Sequence, residues 1–181
     1  MRELTTITPT IGLFVWMFDR KGNLLVKKRE QDESLPGDWD LPGGGVEKER
    51  AEKAKDERIV DMEVTREAYE ETRLVIPDLG IMPAMYPVIS PGGKDWAFGM
   101  NAGVCNHAPV KGTYRYVSPD ELEKLVNGPI GDRLVSGYGK RMHRLCLCGI
   151  ALYSPNSVYQ SQAKEKLQEI WKGWNISPAT A

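Results

Sequence analysis

With 181 residues, 41% of them apolar, the chain is long enough to bury one sizeable core. Its 24 lysines and arginines nearly cancel its 25 aspartates and glutamates, so no global positive field draws nucleic acid or an anionic membrane. No apolar run approaches the ~20 residues of a membrane span and no signal-peptide core opens the chain, so a soluble, cytoplasmic protein is expected, holding any polyanionic ligand through local groups or a metal.

In chain order, Thr10–Phe18 is rich in β-branched and aromatic residues, and Leu24–Arg29 follows a polar Asp19–Asn23 turn, which together predict a β-hairpin. A polar stretch with a Pro36-Gly37 turn leads to Trp39-Asp40-Leu41-Pro42 and then to Gly43-Gly44-Gly45, where a loop with freed backbone amides is expected. Glu47–Arg58 is almost wholly charged with both signs mixed, as in a solvated helical insertion, and from Ile59 to Thr72 a helix is predicted with Val60, Val64 and Ala68 on one stripe.

Leu74–Ile76, Gly80–Ile89 and Trp96–Cys105 read as strands, and Tyr114–Val117 as another. Ser118-Pro119-Asp120-Glu121 supplies an N-cap, a proline in the first turn and acids beside the helix dipole, for a helix through Val126. Arg141–Leu152 and Gln160–Trp174 predict C-terminal helices, and strands mixed with helices argue a layered α/β or α+β domain. The three cysteines, Cys105, Cys146 and Cys148, read as reduced thiols, and His143 with Cys146 and Cys148 lacks a fourth ligand for a structural zinc.

The chemistry concentrates in Arg66-Glu67-Ala68-Tyr69-Glu70-Glu71. At 100° per residue, Glu70 lies about 60° from Glu67 one way and Glu71 about 40° the other, so the three carboxylates share a helix face that Glu63 extends. Like charges four residues apart cost roughly 0.2–0.5 kcal/mol per pair, a cost that a hard divalent cation with oxygen ligands would remove. Arg66 stands beside the acids, where it can pair with one and orient it. Upstream, three glycines after a strand let backbone groups approach a metal or phosphate closely.

Trp39–Glu47 followed by Arg66–Thr72 resembles the box of the Nudix hydrolase family, G-x5-E-x7-R-E-U-x-E-E-x-G-U with U aliphatic. Gly44 takes the first glycine, and Arg66, Glu67, Glu70 and Glu71 match the charged core. The resemblance runs over about residues 8–130 and implies one Nudix domain across 1–181, an α/β/α sandwich on a mixed central sheet, with 131–181 as a C-terminal helical extension. It also implies a magnesium-dependent pyrophosphohydrolase, with manganese as a substitute, acting on a small nucleotide substrate. Glu70, Glu71 and Glu67 with a carbonyl of Gly44 would be metal ligands, Glu67 and Arg66 would serve catalysis, and Gly43, Gly45, Trp96 and Asp95 would face the substrate. A homodimer is an assembly the family allows.

This sequence departs from the pattern in three places. About eight residues are inserted, because Arg58 is followed by Ile59 and Val60 and only Arg66 meets the acids. The isolated glutamate of the box has no match in register, with Glu57 or Asp56 as substitutes if the loop folds back. Arg73 replaces the glycine that closes the helix, which costs on the order of 1 kcal/mol in a left-handed cap or moves the helix end. Asp95 is an alternative base on a later loop.

Trp16, Tyr86, Trp96 and Phe98 are aromatics that either fill the core or stack on a base. Family members that hydrolyse ADP-ribose carry a proline at a set distance beyond the box, and Pro87 and Pro91 bracket that place without landing on it. A nucleoside diphosphate linked to another moiety is favoured slightly over a nucleoside triphosphate. The rival from another class is a Nudix-like module that binds a nucleotide without turnover.

Overall fold

The computed structural model describes residues 10–31, 33, 35–45, 65–66, 69–70, 88–89, 95–105, 113–135 and 141–170. Its strands are β1 (Thr10–Phe18), β2 (Leu24–Lys28), β3 (Trp39–Asp40), β4 (Gly43–Gly45), β5 (Val88–Ile89), β6 (Asp95–Val104) and β7 (Thr113–Val117). The helices are α1 (Pro119–Val126), α2 (Arg141–Tyr153) and α3 (Ser157–Ile170). Residues 65, 66, 69 and 70 are helical, as expected for their segment, whereas the charged stretch 47–58, Leu74–Ile76 and Arg73 lie outside the described residues.

The sheet is mixed. β1 runs parallel to β6 and antiparallel to β2 and β4, β2 is antiparallel to β3 and β7, and β5 is antiparallel to β6. The predicted hairpin forms because Asp19 ties its own turn: its carboxylate accepts from the Lys21 amide at 2.8 Å and the Asn23 amide at 2.9 Å. β1 and β2 stay paired only at Phe18 and Leu24, then diverge. β3 fills the edge of β2 that β1 leaves, at Lys27 and Lys28, with β7 along the opposite edge, while β4 fills the edge of β1 at Gly12–Phe14. Asp40–Gly43 therefore crosses from one diverging strand to the other.

That crossing corrects one expectation. The glycine triplet is not a loop but a strand in the ladder with β1, Gly43 opposite Phe14 and Gly45 opposite Gly12. Gly43 sits at φ 150°, where a Cβ would collide with the Leu13 carbonyl oxygen, so only glycine lets β4 lie this close.

Strand alternation sorts the core. Phe14, Trp16 and Phe18 of β1, Leu24 and Val26 of β2 and Val117 of β7 share a face and pack with Leu122, Leu145, Ile150, Ala163 and Leu167 of the three helices in one cluster. On the other face Leu13, Val15, Met17 and Leu25 are equally closed to solvent. Trp16, expected either in the core or on a base, is core: it is 0% exposed and its indole N–H donates to the Leu145 carbonyl at 3.0 Å. α1 starts as predicted with a full capping box, Ser118 Oγ accepting from the Glu121 amide and Glu121 accepting from the Ser118 amide at 2.8 Å.

No helix of the described residues is long and apolar enough to cross a membrane. Cys146 and Cys148 are buried on α2, where burial pushes the Cys148 thiol up to about 12 and that of Cys146 well above its ordinary value. His143 faces Glu123 instead, Nε2 to Oε1 at 2.7 Å, and among the described residues no group of three or more His, Cys, Asp or Glu is set to hold a metal.

Candidate active site

Two pieces of the expected site fall within the described residues, and a third group stands beside the glycine strand. The first is the glycine strand. Its end, Gly45, is in register with Gly12, which on its other side pairs with Ala97 of β6. At a strand spacing of about 4.8 Å, the triplet and the start of β6 are thus two strand widths apart at one end of the sheet. Asp95 and Trp96 open β6 opposite Thr10 and Ile11, at that same end. The register sets Gly43, Gly44 and Gly45 two strands away from Gly99, Phe98 and Ala97 of β6, with Asp95 and Trp96 further along that strand and not in contact with the triplet.

The second piece is the helical turn. Arg66 Nη1 lies 2.5 Å from Glu70 Oε2, an i,i+4 pair in which the arginine is mostly covered and the glutamate about half exposed. An exposed pair of this kind adds only about 0.3–0.5 kcal/mol to a helix. Glu67 and Glu71 lie outside the described residues.

The third group was not singled out from the sequence. Asp40, 3% exposed, splits its carboxylate: Oδ1 accepts from the Leu41 amide at 2.8 Å and Oδ2 lies 2.5 Å from Arg29 Nη1. Arg29 also approaches Glu33, which meets Lys27 Nζ at 3.2 Å and accepts from the Glu30 amide at 2.6 Å. Burial of Glu33 raises its carboxyl, but the Glu30 amide, Lys27 and Arg29 together hold it below its ordinary value. The only sequence signal for Asp40 is an acid beside the tryptophan and two residues before Pro42-Gly43, and acids at surface turns are too common for that to stand out.

Beside it, Trp39 is locked from all sides. Its ring carries the Arg115 guanidinium at 4.1 Å and the Lys28 ammonium at 5.5 Å, its indole N–H donates to Asp132 at 2.7 Å, and its backbone exchanges bonds with Arg133 and Val135. Asp38 accepts from the Gly131 amide at 2.9 Å on the same loop. The 127–135 loop therefore buttresses the strand that leads into the glycines.

Burial pushes the Asp40 carboxyl up to about 6, outweighing the attraction of Arg29. Because the folded value lies above the ordinary 3.8, the folded chain holds this proton more tightly than the unfolded chain. The stabilisation is complete below about pH 4 and is lost as pH rises through about 6, in total about 3 kcal/mol. Urea titrations of the protein and of Asp40→Asn should therefore diverge with pH. Between pH 4.5 and 7.5 the wild type is expected to lose about 2 kcal/mol relative to the variant, and parallel curves would contradict a raised carboxyl. Loss of the charged Asp40 partner of Arg29 in the variant adds only a pH-independent offset.

The NUDIX domain family model matches residues 8–133, a span that contains the glycine strand, the Arg66–Glu70 turn, β6, β7 and α1. The chain belongs to the Nudix family. Among solved structures this Nudix protein is similar to a Deinococcus radiodurans protein, at 16% identity and TM-score 0.56 over 82% of this chain and 90% of that one. It is similar also to the NUDIX domain of Shewanella oneidensis NrtR complexed with ADP ribose, at 13% identity and TM-score 0.52 over 92% and 94%. A third likeness is the C-terminal domain of mouse MUTYH, solved with human PCNA, at 14% identity and TM-score 0.50 over 90% and 98%. At such identities the likeness is one of fold. No curated protein matches the chain.

Proposed function

We propose that this Nudix protein is a magnesium-dependent hydrolase that cleaves the pyrophosphate bond of a nucleoside diphosphate linked to a second moiety, of the ADP-ribose or nucleotide-sugar kind. The observation that carries the reading is the charged core of the box in register, Arg66, Glu67, Glu70 and Glu71, with Arg66 holding Glu70. The donors this core offers are carboxylate oxygens, and the glycine strand adds backbone oxygens on a stretch whose missing side chains let another group come close. An all-oxygen set fits a hard divalent ion such as magnesium, or manganese, and does not favour zinc.

Glu70, Glu71 and Glu67, with a carbonyl of Gly44, would hold the ion, which when bound neutralises charge on the phosphoryl oxygens. Arg66 fixes the direction of Glu70. Where Glu67 is not itself a ligand it takes the proton of the attacking water, with Asp95 as the alternative base at the same end of the sheet. Gly43, Gly45 and Trp96 would face the substrate. The NrtR domain complexed with ADP ribose supports a ligand of this class on this fold.

A second reading, a nucleotide-binding module without turnover, is favoured by the stretched box and by Arg73 at the glycine position. A panel of ADP-ribose, nucleotide sugars and nucleoside triphosphates with magnesium or manganese decides between them. Release of a nucleoside monophosphate and a phosphorylated second moiety is the expected result, whereas pyrophosphate release would shift the substrate to triphosphates. Tight binding with no hydrolysis anywhere on the panel would sink the enzyme.

A further inference from the structure

We propose that Asp40 is a positioning residue for the metal end of the site: paired with Arg29, it fixes the chain where it crosses from β2 to β1 and so sets the carbonyls of Gly43 and Gly44. The inference rests on the reading of those carbonyls and the box acids as metal ligands.

The crossing has little slack. At its start, Asp40 is in register with Lys27 of β2, and its carboxylate grips both the Leu41 amide at 2.8 Å and Arg29 at 2.5 Å. At its end, the Val15 amide of β1 donates to the Pro42 carbonyl at 2.8 Å, and Gly43 then lies against the Leu13 carbonyl with no space for a side chain. Arg29 is itself fixed by its backbone, whose N–H donates to the Asp38 carbonyl at 2.9 Å and whose carbonyl accepts from the Gly37 amide at 3.0 Å. Between an arginine held on one strand and an amide of the next there are only Leu41 and Pro42. A rotation of the Asp40–Leu41 peptide passes directly into the glycines.

Stability does not account for the pair. Burying a carboxylate and a guanidinium together roughly cancels their attraction, so an apolar pair would hold β2 to β3 as well. What an apolar pair would not supply is direction: the planar guanidinium and the two-sided carboxylate define one orientation of the peptide that follows. A ligand carbonyl misdirected by a fraction of an ångström binds its ion more weakly, and loss of an outer partner of a metal ligand typically costs about 10–100-fold in affinity.

The test is Mn2+ binding to the whole chain without substrate, followed by the paramagnetic resonance of the free ion, with urea midpoints recorded at pH 7.5. Asp40→Asn keeps an acceptor for the Leu41 amide but loses the charged partner of Arg29, and Arg29→Lys keeps the charge but loses the planar fork. Both are expected to bind Mn2+ about 10–100-fold more weakly, with kcat recovered at high magnesium and with folded baselines retained. If one variant does not fold, the other carries the measurement. Wild-type affinity in a folded variant overturns the positioning role while leaving the metal reading intact. A wild type that binds no Mn2+ overturns the metal reading itself and this inference with it.

Discussion

Replacing Glu70 by glutamine is expected to lower kcat by about 10²–10³-fold while leaving the fold as it is. Glu70 is about half exposed and meets Arg66 at 2.5 Å, so the amide oxygen of glutamine can still accept that bond. The stability at risk is that of one surface ion pair, about 0.5 kcal/mol or less. Chemistry has far more at stake. A carboxylate directed at a divalent ion supplies a full negative charge that an amide lacks, and the ion in turn stabilises charge on the phosphoryl group. Unchanged melting with lost turnover, and partial recovery at high magnesium, is the expected pattern in initial-rate and thermal assays. The same is expected for Glu71→Gln, and normal turnover in both variants would remove these residues from the site.

The parts of this protein legible in sequence are those written in local pattern. β1, β7, the capped start of α1 and the body of α2 emerge from alternation, helical spacing and one Ser-Pro-Asp-Glu run, because each is decided by neighbours along the chain. That Arg66 pairs with one of the neighbouring acids is legible for the same reason, and the structure makes that acid Glu70, one helical turn on.

The glycine triplet misleads because glycine signals freedom, whereas here its missing side chain serves a close ladder with β1 that no local rule foretells. Asp40 and Arg29 escape notice because their meaning depends on where β1 and β2 part, a property of sheet register. The buttress behind Trp39 likewise joins residues more than ninety positions apart.

Gly149→Ala is expected to destabilise the protein by about 2–3 kcal/mol, although in an ordinary helix the same change would stabilise by about 1 kcal/mol. The sign turns on Trp16. Gly149 lies within α2 directly over the Trp16 pyrrole ring, and a methyl there would overlap Cδ1 and come within 2.5 Å of Cγ. The indole cannot retreat, because Gly99 of β6 presses on its benzene ring from the sheet side, closely enough that a Cβ there too would clash. It cannot rotate freely either, since its N–H is bonded to the Leu145 carbonyl at 3.0 Å and its ring packs on Tyr153 at 5.6 Å. The helix must therefore lift off the sheet, and the loss of packing exceeds the gain in propensity. For a chain of this size the melting temperature should fall by roughly 5–10 °C. A smaller ring separates this account from a generic core effect: Trp16→Phe vacates the benzene side against Gly99, so the ring can retreat from the methyl and the double variant should be less destabilised than the two single changes added together. Strict additivity would show that the glycine is not there for the tryptophan.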